Sequence, residues 1–423
     1  MSIDKVGINL QELLLCITSA QDLINPVLVN HHQQVAYLSF KIAEQLDYPL
    51  KEQKEVFLAG LVHDIGALSE DERLEVIDNE PSCINVHAFN GARLLEEFKP
   101  LRRIADLVRY HHIPWNCGDG LSFMGKDVSI KSHIVHLADR TCVQIKSKRN
   151  VLSQLPAVLD ALNKDSGTLF EPSSIEALNS LSKKEYIWLD LISDAPVRRL
   201  PRTLFDTVML GIDDIIDLSM VFSHIIDFRS KFTAHHSAGV ANTAHKLAQL
   251  LGFSPLECKM MLIAGYLHDL GKLAIDNKVL EKPAKLNEDE FNEMRSHTYY
   301  TYKLLDTIPQ FETIKKWAAY HHERLDGTGY PFKIDGDSLP LGSRIMAVAD
   351  VFTAITENRP YRMGLDDEKA MSILGDMAAK NAIDGNVVNT LFDHFQEINA
   401  LREDAQAAAS AKYDAYFADQ GMR

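Results

Sequence analysis

The sequence has no apolar run long enough to cross a bilayer, and its first apolar stretch, LLLCITSA, is too short for a signal peptide and follows Gln11 and Glu12. The five cysteines are odd in number and widely spread, and they form no CxxC pair. This pattern favours a reducing compartment over a disulfide framework. We therefore expect a cytoplasmic protein with no membrane partner.

Basic residues are also in deficit, with 44 Lys and Arg against 59 Asp and Glu and a formal net charge of −15. Binding along a nucleic acid polymer requires broad basic surface, so we expect no such partner. The chain has 423 residues, 46% of them hydrophobic, which exceeds the usual size of a single core. We expect two globular domains, whose oligomeric state the sequence does not indicate.

Alternating strand patterns are nearly absent, whereas apolar residues recur at helical spacing over 35–48, 54–66, 240–252 and 257–268. This periodicity predicts an all-α protein whose helices are joined by short loops containing Gly, Pro or Asp. The Ala-rich closing segment AQAAASAKYDAYFADQ is most simply a terminal helix packed on the surface.

The two halves of the sequence repeat one pattern of histidines and aspartates. HHQQVA and LVHDIGA in the first half match HSAGVA and YLHDLGK in the second, and 32 positions separate the two histidines in each case. A third histidine then precedes an adjacent histidine pair by 24 positions, and an aspartate follows the pair by 27 or 28. The repeat indicates a duplicated domain. Its members are His31, His63, Asp64, His87, His111, His112 and Asp139 in the first half, and His236, His268, Asp269, His297, His321, His322 and Asp350 in the second.

The boundary between the two domains is predicted near residue 200. Pro196 and Pro201, in LISDAPVRRLPRT, interrupt helix formation there. We therefore expect an N-terminal domain over 1–200 and a C-terminal domain, including the terminal helix, over 201–423.

Imidazole nitrogen and carboxylate oxygen together are ligands typical of divalent first-row metals. A single histidine is more often a core or surface group, and Asp350 alone could cap a helix beginning near VFTAI. Recurrence of the whole set in both halves favours metal binding instead. Seven groups are too many for one cation, and two cations sharing Asp269 as a bridge would use them all.

The adjacent pair His321 and His322 constrains the backbone. Successive helix residues diverge by roughly 100°. Both rings can therefore reach one metal only where the helix ends, and the following DGTG turn provides such an end.

HDLGK at 268–272, HHERLDGTGYP at 321–331, RIMAVAD at 344–350 and RPYR at 359–362 resemble the HD-GYP branch of the HD superfamily. These are all-helical, metal-dependent phosphohydrolases that open bacterial cyclic dinucleotides. The resemblance covers roughly residues 230–400 and implies two tandem HD-superfamily helical domains, of which the first lacks the GYP motif.

Carried over by position, the resemblance implies two divalent transition metals, Fe or Mn. One cation would be bound by His236, His268, Asp269 and Asp350, and the second by Asp269, His297, His321 and His322. Some members bind a third metal through a Glu four residues before the first histidine. That position is Phe232 in this chain, so the site is expected to be binuclear.

The resemblance also implies the reaction, in which a hydroxide bridging the metals attacks a cyclic dinucleotide and leaves a linear, 5′-phosphorylated dinucleotide. Asp269 and Lys272 are the candidate catalytic residues. Lys272, Tyr330, Arg359 and Arg362 are the candidate substrate contacts. Both 3′,3′-cyclic GMP-AMP and cyclic di-GMP are candidate substrates, because their phosphodiester chemistry is identical.

The first half keeps its seven candidate ligands but has Ala67 where the second half has Lys272, and IPWNCGDG where the second half has GYP. We interpret it as a possible second metal site with a regulatory role. Two other functions stay open for the whole chain. One is a noncatalytic signalling scaffold, and the other is a broader HD nucleotide phosphohydrolase, which would leave the GYP segment unused.

Overall fold

The computed structural model describes residues 7–22, 30–67, 85–146, 149–200, 209–227, 235–282, 284–358 and 363–418. Within these ranges the protein is all-α, as predicted, and its strands form two short antiparallel ladders. They are β1 (Ile8–Asn9) with β4 (Met209–Leu210), and β2 (Ser122–Phe123) with β3 (Lys126–Asp127). None of the helices in the described part of the chain is both long and apolar enough to span a bilayer.

The chain divides into two compact units, an N-terminal unit of Ile17–Thr207 and a C-terminal unit that joins Met1–Cys16 to Val208–Arg423. The predicted limits of 1–200 and 201–423 stay a prediction, and the observed division differs from them in grouping the first 16 residues with the C-terminal half. The first helix, α1 (Leu10–Asp22), begins in the C-terminal unit and ends in the N-terminal unit.

The rest of the N-terminal unit contains eight α-helices among the described residues. They are α2 (His31–Gln45), α3 (Leu50–Val62), α4 (Asn85–Glu97), α5 (Ala105–Arg109), α6 (Ile130–Gln144), α7 (Val151–Lys164), α8 (Pro172–Ser182) and α9 (Glu185–Leu191).

The C-terminal unit continues with eleven helices in the described ranges. They are α10 (Ile212–Asp227), α11 (His236–Leu250), α12 (Pro255–Leu267), α13 (Asn277–Leu280), α14 (Glu288–Arg295), α15 (His297–Leu305), α16 (Glu312–Ala319), α17 (Leu341–Thr356), α18 (Asp367–Ala379), α19 (Gly385–Asp393) and α20 (Phe395–Ala418).

The four helices predicted from periodicity are confirmed as α2, α3, α11 and α12, and each begins two to four residues before the predicted segment. The early start of α12 has a local cause. Ser254 and Glu257 form a reciprocal capping box, and Pro255 occupies the first helical position, where its missing N–H costs no hydrogen bond.

The duplication is visible in helix lengths as well as in the histidines. Helices α2 and α11 have 15 residues each, and helices α3 and α12 have 13 residues each. Each second helix is followed at once by a His-Asp dipeptide. The two units are therefore built on one helical plan.

Glycines let the first two helices of each plan approach closely. A Cβ added at Gly265 would lie 2.4 Å from Cα of Ala241, and a Cβ at Gly60 would lie 3.1 Å from Cα of Ala36. The backbone would have to move to admit a Cβ at Gly265, and the neighbours of Gly60 would have to shift by a few tenths of an ångström to admit one there.

In the C-terminal unit, α11 packs against α12, α17 and α20. Its inward face is apolar and fully buried through Val240, Ala241, Ala244 and Leu247. Burial of such side chains is the main stabilising contribution to the unit. It also fixes the position of His236, the first residue of α11.

Candidate metal centre

The candidate ligands of the C-terminal unit lie at helix ends, with one exception. His236 and His297 are the first residues of α11 and α15, and His268 directly follows α12. Asp350 lies inside α17, so the alternative that it caps a helix beginning near VFTAI is wrong. The structure brings all seven predicted ligands of this unit into overlapping groups.

The first group consists of His236, His268 and Asp350. One ligand atom from each lies within 4.8 Å of the others. Nε2 of His236 is 3.2 Å from Oδ1 of Asp350. All three residues are buried.

The second group consists of His297, His321 and His322. Nε2 of His297 is 3.3 Å from Nε2 of His321, and the rings of the adjacent pair have centroids 4.2 Å apart. Because α16 ends at Ala319, the two histidines lie in a turn, where consecutive side chains can point to one place. The expected helix end before the pair is confirmed.

Asp269 lies between the two groups. Its Oδ1 is 3.4 Å from Nε2 of His297, and its Oδ2 is 3.2 Å from Nε2 of His268. Each oxygen therefore faces a histidine of a different group, which is the arrangement required of a bridging carboxylate.

Backbone carbonyls hold three of the rings in place. The Nδ1 atoms of His268, His297 and His321 lie 2.7, 2.6 and 2.6 Å from the carbonyl oxygens of the residues three positions earlier. Nδ1 is then the protonated nitrogen, and Nε2 keeps its lone pair and faces the centre.

Electrostatics separates the histidines into two kinds. Burial lowers the pKa of His297 to about 3 and also lowers those of His321 and His322, so these imidazoles are neutral at pH 7. At His236 burial acts in the same direction, but the carboxylates of Glu357 and Asp350 outweigh it and raise the pKa to about 10. The pKa of Asp269 is held well below its usual value, because His268 and Lys272 outweigh burial.

The donor set fits divalent transition metals. Ligand atoms at about 2.0–2.2 Å from a cation lie roughly 3–3.5 Å from one another, and the separations above are close to that range. In the described part of the chain, Nε2 of His268 and Oδ1 of Asp269 are buried without a well-directed hydrogen bond. Such atoms are costly unless a partner such as a metal satisfies them.

One side of the centre is open. The side chain of His322 is 32% exposed and that of Lys272 is 21% exposed, whereas those of His268 and Asp269 are at most 3% exposed. Nζ of Lys272 donates to Oδ2 of Asp269 over 2.6 Å. The half-buried ring of Tyr330 lies 5.0 Å from that of His322. Of the predicted substrate contacts, Lys272 and Tyr330 thus lie at the rim, and Arg359 and Arg362 lie outside the described residues, as does Phe232.

The loop carrying the GYP motif is fixed by acids beside the histidine pair. The buried carboxylate of Glu323 accepts hydrogen bonds from the N–H groups of Phe332 and Ile334, at 2.7 and 3.1 Å. Asp326 accepts from the backbone N–H of Thr328, and it shapes the turn as an aspartate often does. A Cβ at Gly329 would meet the backbone nitrogen of Arg324 at 2.4 Å.

The N-terminal unit assembles an equivalent centre. Nε2 of His31 is 3.3 Å from Oδ1 of Asp139, and Asp64 faces Nε2 of both His63 and His87 at 3.1 Å. Nε2 of His112 is 3.2 Å from Nε2 of His87. Two groups of ligand atoms result, one of Asp64, His87, His111 and His112, and the other of His31, His63 and Asp64.

The two centres differ in access and in charge. His112, the counterpart of the partly exposed His322, is buried, and the ring of His136 lies 5.5 Å from it. The position of His136 corresponds to Ala347 in the other unit. Ala67 occupies the place of the lysine, and Arg140 instead donates to Oδ2 of Asp139 over 2.7 Å.

Some residues near the centres were missed by sequence reasoning. Asp22 and Asp227 each end a helix nine positions before the first histidine of their unit. The carboxylate of Asp22 accepts a hydrogen bond from Nδ1 of His32, and that of Asp227 accepts hydrogen bonds from the hydroxyl and the N–H of Ser237. Their equal spacing was the signal that could have revealed them. Glu357 and Arg140 have no counterpart in the other unit and gave no repeat signal.

Comparisons with known proteins agree with the duplication. The HD domain family matches residues 28–143 and again residues 220–387. The 3′3′-cGAMP-specific phosphodiesterase 1 of Vibrio cholerae is 30% identical over 405 residues, covering 93% of this chain and 94% of the relative. The cyclic di-GMP phosphodiesterase response regulator RpfG of Xanthomonas campestris is 40% identical over 151 residues, covering 35% of this chain and 40% of the relative.

A solved structure shows the same fold. The cyclic GMP-AMP specific phosphodiesterase V-cGAP3 of V. cholerae superposes with a TM-score of 0.64 at 23% identity, over 92% of this chain and 98% of that one.

Proposed function

The chain belongs to the HD-GYP type of cyclic dinucleotide phosphodiesterases, and we propose that its C-terminal centre opens 3′,3′-cyclic GMP-AMP in preference to cyclic di-GMP. The relative that spans nearly the whole chain, including the N-terminal HD domain, is named as a cGAMP-specific enzyme. The cyclic di-GMP phosphodiesterase RpfG matches only about a third of the chain. Full-length similarity therefore favours the mixed ring, and cyclic di-GMP is the second candidate.

The observation that carries the reaction is the cage of buried imidazoles and carboxylates with one open side. His236, His268, Asp269 and Asp350 would hold one divalent cation, and Asp269, His297, His321 and His322 the other. Fe or Mn are the expected metals, because this nitrogen and oxygen set suits both. Two bound cations would supply an activated water and neutralise charge on the phosphodiester.

The protein's own residues then define where the phosphodiester lies. The open side is bounded by His322, Lys272 and Tyr330, so the phosphate must approach there. Lys272 would donate to a nonbridging phosphate oxygen, and its ammonium stays charged because Asp269 and Asp350 outweigh burial and keep its pKa raised. The half-buried ring of Tyr330 offers an apolar face to the sugar or base.

The chemical outcome is the addition of one water molecule to one phosphodiester. Oxygen from water bonds to phosphorus, the bond to the 3′ oxygen breaks, and that oxygen takes up a proton. The product is a linear dinucleotide with a 5′-phosphate and a free 3′-hydroxyl. We propose that this occurs in the cytoplasm, where the cyclic messengers of bacteria are found.

The N-terminal centre is proposed to bind metal and to regulate its neighbour rather than to hydrolyse the ring. Six of its seven candidate ligands fall into groups that could hold a metal, and the seventh, Asp139, lies 3.3 Å from His31, but His112 is buried and Ala67 provides no cation. A ring the size of a cyclic dinucleotide needs an open face such as the one beside His322.

Incubation of purified, Mn- or Fe-loaded protein with each cyclic dinucleotide, followed by chromatography of the products, tests the function. We expect linear 5′-phosphorylated product from both rings and faster turnover of the mixed ring. His268→Ala with Asp269→Ala should abolish turnover. If protein with confirmed metal content hydrolyses neither ring, the enzymatic proposal fails and the result favours a noncatalytic signalling scaffold.

A further inference from the structure

The ring of His236 lies between two carboxylates. Its Nε2 is 3.2 Å from Oδ1 of Asp350, on the side of the metal centre, and its Nδ1 is 3.1 Å from Oε2 of Glu357. The side chain of Glu357 is 0% exposed. A fully buried carboxylate is costly unless it has partners, so this contact is a built feature of the fold.

Glu357 does for His236 what the backbone does for the other rings. His268, His297 and His321 direct Nδ1 at carbonyl oxygens three residues earlier. At His236, the first residue of α11, the acceptor is a side chain instead. Glu357, which directly follows α17, supplies it.

The terminal helix holds Glu357 from the other side. Nε2 of Gln406, on α20, donates to the same oxygen over 3.2 Å. Arg402 donates to the amide oxygen of Gln406, and both side chains are buried. A Cβ at Gly239 would meet Nε2 of Gln406 at 2.9 Å, so this amide lies directly against the backbone of α11.

This support belongs to the C-terminal centre. His31 faces Asp139 as His236 faces Asp350, but the residue seven positions after Asp139 is Lys146, where the C-terminal unit has Glu357. A lysine cannot accept a hydrogen bond from an imidazole. The two centres therefore share their ligands but not this contact.

We propose that Glu357 is a positioning residue that orients His236 as a metal ligand, and that Gln406 of the terminal helix holds Glu357 for this task. The proposal rests on the proposed function in assuming that the C-terminal centre binds metal. Carboxylates behind a ligating histidine fix its tautomer and orientation, and their loss typically weakens metal binding by 10–100-fold.

Glu357→Gln tests the proposal, because the amide preserves size but removes the charge. Mn²⁺ affinity, measured by competition with a chelator on the full chain, should weaken about 10–100-fold. The KM for cyclic dinucleotide should stay unchanged, and kcat should recover at saturating Mn²⁺. Glu357→Asp should restore part of the affinity. Glu368→Gln, the same substitution on the exposed side of α18, is the matched control and should behave as wild type.

Unchanged Mn²⁺ affinity in folded Glu357→Gln protein would overturn the proposal. If that variant does not fold, Gln406→Ala decides, because it keeps the carboxylate and removes its support. Weaker Mn²⁺ affinity then supports the proposal, and wild-type affinity overturns it. A protein that binds Mn²⁺ but hydrolyses no cyclic dinucleotide would refute the proposed function alone.

Discussion

Nζ of Lys272 forms an ion pair with Oδ2 of Asp269 at 2.6 Å, and the N-terminal centre has Ala67 in place of this lysine. The ammonium is partly exposed at the open side, whereas the carboxylate is buried. Lys272 can therefore contact a phosphate without leaving the centre. Ala67 places no cation at the equivalent position of the N-terminal centre.

Lys272→Ala should lower kcat/KM by about 100-fold, or about 2.7 kcal/mol, because it removes a cation aimed at developing phosphate charge. Metal content should be retained, since seven ligands remain. Steady-state kinetics with parallel elemental analysis checks both statements. Lys278→Ala, on the exposed face of α13, is the control and should not alter turnover. A wild-type value of kcat/KM in Lys272→Ala would show that Lys272 does not contribute to hydrolysis.

Gly271→Ala should damage the centre through the backbone. A Cβ at this position would lie 1.9 Å from the carbonyl oxygen of His297, so the first turn of α15 must shift. We expect lower metal content, lower turnover and a lower Tm. Gly375→Ala is the matched control, because a Cβ there meets nothing within 4 Å and α18 should gain roughly 0.5–1 kcal/mol. Equal behaviour of the two variants would contradict the packing argument.

The buried carboxyl of Asp227 should make the stability of the metal-free protein depend on pH. Burial raises the pKa of this carboxyl from 3.8 to about 7, against the opposing effect of His236. A carboxyl with a raised folded-state pKa contributes stability at low pH, and this contribution is lost as the pH rises from about 4 to about 7. Asp227→Asn cannot ionise and so does not lose this stability. The Tm of the variant minus the Tm of wild type should therefore increase as the pH rises over this interval.

Thermal melts of chelator-treated wild type and Asp227→Asn from pH 5 to pH 8 measure the effect. Each kcal/mol of change in the free energy of unfolding shifts Tm by roughly 2–4 °C in a unit of this size. Asp414→Asn, at an exposed position of α20, serves as the control. A Tm difference between Asp227→Asn and wild type that does not vary with pH would show that Asp227 does not titrate in this range.

The N-terminal pair tests regulation. The double variant His63→Ala, Asp64→Ala removes two candidate ligands of the N-terminal centre. We expect fewer bound metal ions per chain and a changed rate of cyclic dinucleotide hydrolysis. The C-terminal ligands are untouched, so turnover itself should persist. Kinetics and metal analysis on the same preparation check this. An unchanged rate in a folded variant that has lost the metal would contradict a regulatory role.

Repetition made the clustering of the candidate ligands predictable from sequence. Equal spacings such as that from His31 to His63 and from His236 to His268 require no knowledge of the fold. The helix end before His321 followed from the geometry of adjacent residues. The all-α class followed from periodicity, because apolar faces at helical spacing must be buried together.

Contacts between distant, unrepeated residues could not be predicted. Glu357 and His236 are 121 positions apart, and Gln406 reaches Glu357 only because α20 packs against α11. The Ala-rich closing segment was expected to form a terminal helix packed on the surface, and it does lie in α20, but its Gln406 is buried against Glu357. The exposure of His322 and the burial of His112 likewise depend on packing around them, which sequence spacing does not encode.

The most direct measurement is the metal content and turnover of anaerobically prepared wild type and Asp269→Asn. We expect wild type to contain stoichiometric Fe or Mn and to hydrolyse the cyclic dinucleotide, and Asp269→Asn to lose both C-terminal metal and activity. Active wild-type protein with no transition metal, or Asp269→Asn with wild-type turnover, would contradict a bridged pair of cations as the source of catalysis.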